Sequence, residues 1–343
     1  MIYRSKAPLR IGLAGGGTDV SPYSDLYGGA ILNATVSLYA HATIEPLKEN
    51  LIILQGIDRK EEQRFEGGID LQNLPINGTL DLLKGVYNRI KKEYGFPATG
   101  FRLSTFVDAP AGSGLGTSST LVTAIIGAFA EMLRLPLGEY DMAHLAYDIE
   151  RKDLRMAGGR QDQYAATFGG VNYMEFYADD KVIVNPLRVK QQYLFELENN
   201  LLLYYTATSR ESAKIIEKQS RNVLDKKEKS IEAMHQLKHQ AQLMKEALLK
   251  GRIDEIGEIL DFGFQQKQKM AEGISNPLID EIYQSARQAG ATGGKISGAG
   301  GGGFMTFYCP AISKYRVMEA LTNMGGHCQP YQFTGHGLTT WTI

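Results

Sequence analysis

Residues 121–133 read LVTAIIGAFAEML, apolar on nearly every face of a helix, and they follow without a break on DAPAGSGLGTSST at 108–120. A helix without a polar face has to lie inside a protein, so the rest of the chain must be built around it. Its opening loop then sits where three or four backbone N–H groups lack an intrahelical acceptor and carry about half a positive charge. Gly112, Gly114 and Gly116 let the backbone fold closely around an anion, and Thr117, Ser118 and Ser119 offer hydroxyls that can cap the helix or bind an oxygen or a metal. Two readings stay open, a capped glycine turn and a phosphate cradle. The lysine-containing GxxxxGK[ST] pattern is not matched, so a phosphate here needs charge from the helix dipole, a divalent cation or a basic residue of another segment.

Around that helix the texture is that of an α+β protein. Residues 1–110 are rich in β-branched and aromatic runs such as ILNATVSLYAHATIEPL at 31–47, LIILQ at 51–55 and FRLSTFVDA at 101–109, interrupted by a helical pattern at 79–94. Helices are predicted at 117–134 and 139–153, then a hairpin from VNYMEFY and KVIVNP, a strand at 201–208, one or two long helices over 209–250, and helices at 253–270 and 277–289. A glycine segment, GATGGKISGAGGGG, precedes a last strand, FMTFYC. Strands and helices come in runs rather than in strict alternation. At 343 residues with 43% hydrophobic content the chain can fill two cores; the division is drawn at 1–190 and 191–343.

Several functions are disfavoured. Lys+Arg 37 against Asp+Glu 38 gives no global field for nucleic acid or an anionic membrane. No apolar run approaches the roughly 18 residues that cross a bilayer, and the N-terminus has no signal-like core, so a cytoplasmic protein is expected. Cys309 and Cys328 are too few for a disulfide framework and too far apart in sequence for a zinc site. His235 and His239 fall one helical turn apart in HQLKH, which lacks a glutamate and reads as a solvated face. GAGGGG at 298–303 fits GxGxxG, but a strand follows it where a dinucleotide site needs a helix. DFG at 261–263 has no accompanying kinase motifs, and Asp261 is expected on a helix surface.

Three glycine segments, APLRIGLAGGGTD at 7–19, PAGSGLGTS at 110–118 and KISGAGGGG at 295–303, resemble in order and wording the motifs of the GHMP kinases, the superfamily of galactokinase, homoserine kinase, mevalonate kinase and phosphomevalonate kinase. The resemblance runs from residue 3 to about 309, with Thr117 where the family's second motif has its first serine. It implies an N-terminal ATP-binding domain resembling the second domain of ribosomal protein S5 and a ferredoxin-like C-terminal domain. It also implies ATP held by Pro110, Gly112, Ser113, Gly114, Leu115, Gly116, Thr117, Ser118 and Ser119, with Mg²⁺ on Ser118 and Glu150. Asp162, in GGRQDQYAA, falls at the catalytic aspartate, and Arg10 at the basic residue beside the transferring phosphate. Phosphoryl transfer asks mainly for in-line geometry and charge stabilisation, and an aspartate can take the proton of an acceptor hydroxyl. Without the resemblance, a solvated helix residue stays an open reading for Glu150 and a turn residue for Asp162.

GGGTD at 15–19 resembles the sugar 1-kinases acting on D-glycero-D-manno-heptose 7-phosphate and the fucokinases. The implied reaction places a phosphate on the anomeric hydroxyl of the heptose 7-phosphate; a 1-kinase for an unphosphorylated sugar and a non-catalytic ATP and sugar sensor are the alternatives. Gly17, Thr18, Asp19, Asp162, Gly300 and Gly301 are expected at the sugar, although Asp19 also reads as a turn residue. Arg155, Arg160 and Arg210 are candidates to clamp the substrate's own phosphate. Small molecules are thus the expected partners, with a homodimer left open.

Overall fold

The computed structural model describes residues 1–67, 73–96, 99–208 and 212–343. Arg210, one of the three arginines singled out above, lies outside them. The chain starts with β1 (Tyr3–Ala14), a short α1 (Tyr23–Tyr27) and an 18-residue β2 (Gly29–Pro46), followed by β3 (Leu51–Gly56), β4 (Glu61–Glu66), α2 (Asp81–Tyr94) and β5 (Phe101–Val107). After the glycine loop come α3 (Thr117–Leu133), α4 (Glu139–Asp148), a π-helical turn at Ile149–Asp153, α5 (Gln161–Phe168), β6 (Val171–Phe176) and β7 (Val182–Pro186). The helix expected at 139–153 therefore changes to π geometry over its last five residues, a feature common at functional sites.

β2 is the spine of the first sheet. Its first part pairs with β6 and its last with β5, while β1 runs along its other edge. Register shifts interrupt the β1–β2 ladder between Pro8 and Arg10 and again between Gly12 and Ala14. Bulges of this kind re-aim side chains, and the first frees the Arg10 N–H to bond Leu115 O at 3.1 Å. α3 lies on β1 and β2 with Ala124, Ile125, Ile126, Ala128 and Phe129 fully buried, as its apolar sequence requires. Each of the larger side chains so buried stabilises the fold by about 1.5–3 kcal/mol over its exposed state.

The second half begins with α6 (Gln191–Asn200) and β8 (Leu201–Tyr205), then α7 (Ser212–Leu224), α8 (Glu228–Lys250), α9 (Ile256–Met270), α10 (Pro277–Ala289), β9 (Gly293–Ile296), β10 (Phe304–Tyr308), α11 (Ser313–Thr322) and β11 (His327–Cys328). Its sheet has the antiparallel order β11-β8-β10-β9. Numbered within the domain that is 4-1-3-2 on a βαββαβ path, the ferredoxin-like arrangement. The last residues leave this domain: β12 (Thr339–Thr342) pairs with β1, and Thr340 and Thr342 donate to the two carboxylate oxygens of Glu131 near the end of α3. A division that gives all of 191–343 to the second domain thus misplaces the tail. His235 is not on a solvated face either; its Nδ1 lies 2.8 Å from the Tyr23 hydroxyl and its ring packs on Tyr27 of α1. Among the described residues no helix is long and apolar enough to cross a membrane.

Candidate active site

The glycine loop and the first turn of α3 line a polar cavity of about 400 Å³, together with residues of β1, α5, α7 and the 297–299 turn. Gly114 has φ +82°, and a Cβ there would stand 2.8 Å from Ser297 O, so only glycine lets the loop press against the third motif. Arg10, 4% exposed, reaches under the loop from the β1 bulge. Its Nη1 donates to Gly114 O at 2.6 Å and its Nε donates to Asp162 Oδ1 at 2.7 Å. One guanidinium therefore fixes both the loop and the aspartate in the first turn of α5.

Glu150 sits on the π turn and is fully buried. Ser118 Oγ donates to its Oε1 at 2.9 Å, and Gln163 Nε2 donates to its Oε2 at 2.5 Å. Both Ser118 and Glu150 line the polar cavity. Among the described residues no three His, Cys, Asp or Glu side chains cluster to hold a metal. One carboxylate and one hydroxyl, both hard oxygen donors, fit an Mg²⁺ that takes its remaining ligands from phosphates and water.

The GGGTD segment divides into parts. Asp19 is buried, its Oδ2 accepts the N–H groups of Arg160 at 2.9 Å and Gln161 at 3.1 Å, and its Oδ1 has no partner among the described residues. Burial, and after it the charge of Asp162, pushes the Asp19 carboxyl above the usual carboxylate range, against the pull of those N–H groups and Arg10. Gly159 is obligatory, because a Cβ there would fall 1.9 Å from Asp19 Oδ2. Gly17 lines the cavity beside Asp19. Thr18 does not: its fully buried hydroxyl lies 2.8 Å from Gly15 O and 2.9 Å from Ala30 O and accepts the Ala30 N–H at 3.1 Å. It pins the turn and is spent on backbone.

Other expectations are corrected in the same way. Gly300 and Gly301 are sealed against Ile274, with Gly301 N–H donating to Ile274 O at 2.8 Å; it is Gly298 and Ala299 that line the cavity. Arg160 is 3% exposed and turned away from the cavity, its guanidinium bonded to Tyr177 O and Asp25 and near Asp180. Ser113 and Leu115 have buried side chains and act through backbone, Leu115 O holding Arg10 N–H and Ser113 O holding Phe304 N–H. Pro110 is exposed and accepts the Ser113 N–H at 3.1 Å. Gly112, Gly116, Thr117 and Ser119 all face the cavity, as does Arg155 at its exposed rim.

Across the loop lies a second, mostly apolar cavity of about 420 Å³, lined by Leu80, Leu83, Val107, Leu121, Leu154 and Met156 among others. It shares Gly112, Thr117, Ser118 and Met156 with the polar one. An apolar slot and a polar pocket thus meet at one helix N-terminus.

Comparison with known proteins decides the family. The profile of the GHMP kinases N terminal domain matches residues 81–170 and that of the GHMP kinases C terminal domain matches 244–326. The D-glycero-alpha-D-manno-heptose 7-phosphate kinase of Campylobacter jejuni is 47% identical over 340 residues, 99% of both chains. The chain belongs to the GHMP kinases. A crystal structure of a D-glycero-D-manno-heptose 1-phosphate kinase from Bacteroides thetaiotaomicron superimposes with a TM-score of 0.84 at 46% identity, covering 99% of each chain. The bifunctional fucokinase/GDP-fucose pyrophosphorylase of Arabidopsis thaliana is 28% identical over 91% of this chain and 30% of its own length.

As a GHMP kinase the chain is a phosphotransferase with an alcohol group as acceptor, and ATP is the family's donor. Sequence reasoning did not find four of the residues that line its cavities or their walls. Gln161 is half-buried and lines the polar cavity, its Oε1 without a partner among the described residues. Arg151 lies at the rim, its Nη1 donating to Met156 O at 3.2 Å. Lys267 and Lys295 are buried lysines held by backbone carbonyls. Their segments carry no glycine, hydroxyl or carboxylate signature of a site, apart from the third motif that Lys295 opens.

Proposed function

We propose that this GHMP kinase is an ATP- and Mg²⁺-dependent sugar 1-kinase that converts D-glycero-D-manno-heptose 7-phosphate to the 1,7-bisphosphate. The observation that carries the reading is the Arg10–Asp162 pair at the floor of the polar cavity, directly beneath the loop that separates it from the apolar slot. The slot suits a nucleobase; the loop and α3 N-terminus suit its phosphates. The 47% identity to the Campylobacter jejuni enzyme supports the choice of heptose.

On this reading the anomeric hydroxyl points at Asp162 and attacks the γ-phosphorus. The new bond is sugar O–P, the bond broken joins the γ-phosphorus to the bridging oxygen, and the electron pair leaves on ADP. Asp162 orients the hydroxyl and takes its proton, while Arg10 holds Asp162 and adds charge beside the moving group. Ser118 and Glu150 would hold Mg²⁺, which neutralises phosphate charge when bound. Asp19 Oδ1 and Gln161 Oε1, both without a partner among the described residues, accept sugar hydroxyls. Arg155, exposed at the rim, meets the 7-phosphate.

The names of the two heptose kinase relatives differ in the phosphate they mention, 7-phosphate in one and 1-phosphate in the other. A substrate panel separates them: heptose 7-phosphate, heptose 1-phosphate, free fucose and free galactose, with ADP release and ³¹P spectra as readouts. The 7-phosphate should be consumed with a new anomeric phosphorus signal. Turnover of free hexoses or of the 1-phosphate alone overturns the reading, and ATP binding without turnover of any sugar points to a sensor.

A further inference from the structure

The phosphate loop has no lysine of its own, yet two lysines reach it from the second domain. Lys267, on α9, is 4% exposed and lines the polar cavity. Its Nζ donates to Gly298 O at 2.5 Å. Gly298 in turn backs on the loop so closely that a Cβ there would stand 2.8 Å from Gly114 Cα. Lys295, on β9, is 6% exposed and donates to Gly12 O at 2.6 Å. Both ammonium groups converge on Gly16, where a Cβ would lie 3.6 Å from Lys267 Nζ and 3.9 Å from Lys295 Nζ.

Among the described residues neither lysine forms an ion pair, while the nearby carboxylates have other partners, Asp162 Oδ1 in Arg10 and Asp19 Oδ2 in backbone N–H groups. An ammonium has three donors, and one carbonyl occupies only one of them. Burial, with Arg10 adding repulsion against the pull of Asp19, lowers Lys267 to about 8; burial, Lys267 and Arg10 hold Lys295 well below the usual lysine range. Buried charge of one sign is costly unless a ligand of the other sign arrives.

We propose that Lys267 is a further catalytic residue whose ammonium contacts the peripheral oxygens of the phosphoryl group in transit, with Lys295 anchored behind it. The position follows from Gly114 and Gly298: Arg10 holds the carbonyl of one, Lys267 the carbonyl of the other, and the two glycines touch. The two cations therefore flank one point beside the α3 N-terminus. Lys267 forms no covalent bond and gives up no proton; it opposes the charge that spreads over the phosphoryl oxygens as one P–O bond forms and another breaks. The inference rests on the kinase reading above and adds to it a cation supplied by the second domain.

The test uses the full chain with ATP and whichever sugar the wild type accepts. In Lys267→Met or Lys267→Gln, kcat should fall about 10²–10³-fold, the size typical of losing one transition-state donor. KM for ATP and sugar should stay within about threefold, and ADP binding should persist while the ADP–aluminium fluoride complex formed with sugar is lost. Lys267→Arg should recover part of kcat. Unchanged kcat in either folded neutral variant overturns the proposal, as does a loss confined to KM for a phosphorylated sugar, which would make Lys267 a clamp for the substrate's own phosphate. A wild type that phosphorylates no sugar overturns the kinase reading first, and this one with it.

Discussion

Arg10 grips a single oxygen of Asp162 with two nitrogens, Nε at 2.7 Å and Nη2 at 2.6 Å from Oδ1, and leaves Oδ2 free of hydrogen bonds among the described residues. The carboxylate is oriented by its back and presents its front to the cavity. Asp162→Asn keeps an acceptor for Arg10 and removes the base. Turnover should drop by about 10²–10⁴-fold with nucleotide affinity within a few fold. Single-turnover kinetics and calorimetric ATP titration check this, and a mutant as fast as the wild type refutes the role.

Glu150→Gln tests the metal assignment without disturbing volume. The midpoint of the Mg²⁺ dependence should move up by at least about tenfold, by analogy with losses at metal ligand shells. Binding of a non-hydrolysable ATP analogue, titrated with Mg²⁺, should shift in parallel; an unmoved binding midpoint places the ion elsewhere.

Thr18 and Asp19 are neighbours in the motif with separate duties. Thr18→Val strands backbone groups at Gly15 and Ala30 and should cost about 1–3 kcal/mol of stability, visible as a lower Tm, with sugar KM changed less than about threefold. Asp19→Asn should raise sugar KM at least about tenfold. Equal effects of the two on KM would mean that the threonine hydroxyl also touches the sugar.

The groups facing Lys267 are Arg10 from β1, Asp19 from the turn after it and Lys295 from β9. If its ammonium serves catalysis, kcat should decline as pH rises through about 8, where the proton is lost. Stability should move the other way. The folded pKa lies below the unfolded one, so between about 8 and 10.5 the unfolded chain binds more protons and unfolding free energy increases with pH. Denaturant titrations of wild type minus Lys267→Met across that window should show the rise, and the kcat decline should be absent from Lys267→Arg.

Much of the cavity lining could be read from the chain because a glycine loop at a helix start is written in contiguous letters. Gly112 to Ser119 are adjacent in sequence and adjacent in space, and Arg10, Glu150 and Asp162 each lie in or near a distinctive segment. Lys267 was illegible for the opposite reason. FQQKQKM looks like a solvent-facing helix, and only the packing of α9 against β1 and β9 turns that lysine inward. Arg160 misled because its charge is consumed by Asp25 and Asp180, carboxylates far from it in sequence. The apolar slot draws on segments near 56, 80, 107, 121 and 155, so no single stretch announces it. The tail was misassigned because four residues, TTWT, choose their sheet by contacts with Tyr3–Lys6 that no local pattern encodes.

That tail bears on the far end of the helix that the glycine loop opens. α3 has 17 residues, about 25 Å of rod, with the glycine loop at one tip and Glu131 close to the other. Thr340 and Thr342 clip Glu131 to the sheet, so the rod is clamped at both ends rather than cantilevered from its loop. Substitutions in the final strand would therefore register as slack in the grip on ATP, in a region that no inspection of the cleft would bring under suspicion.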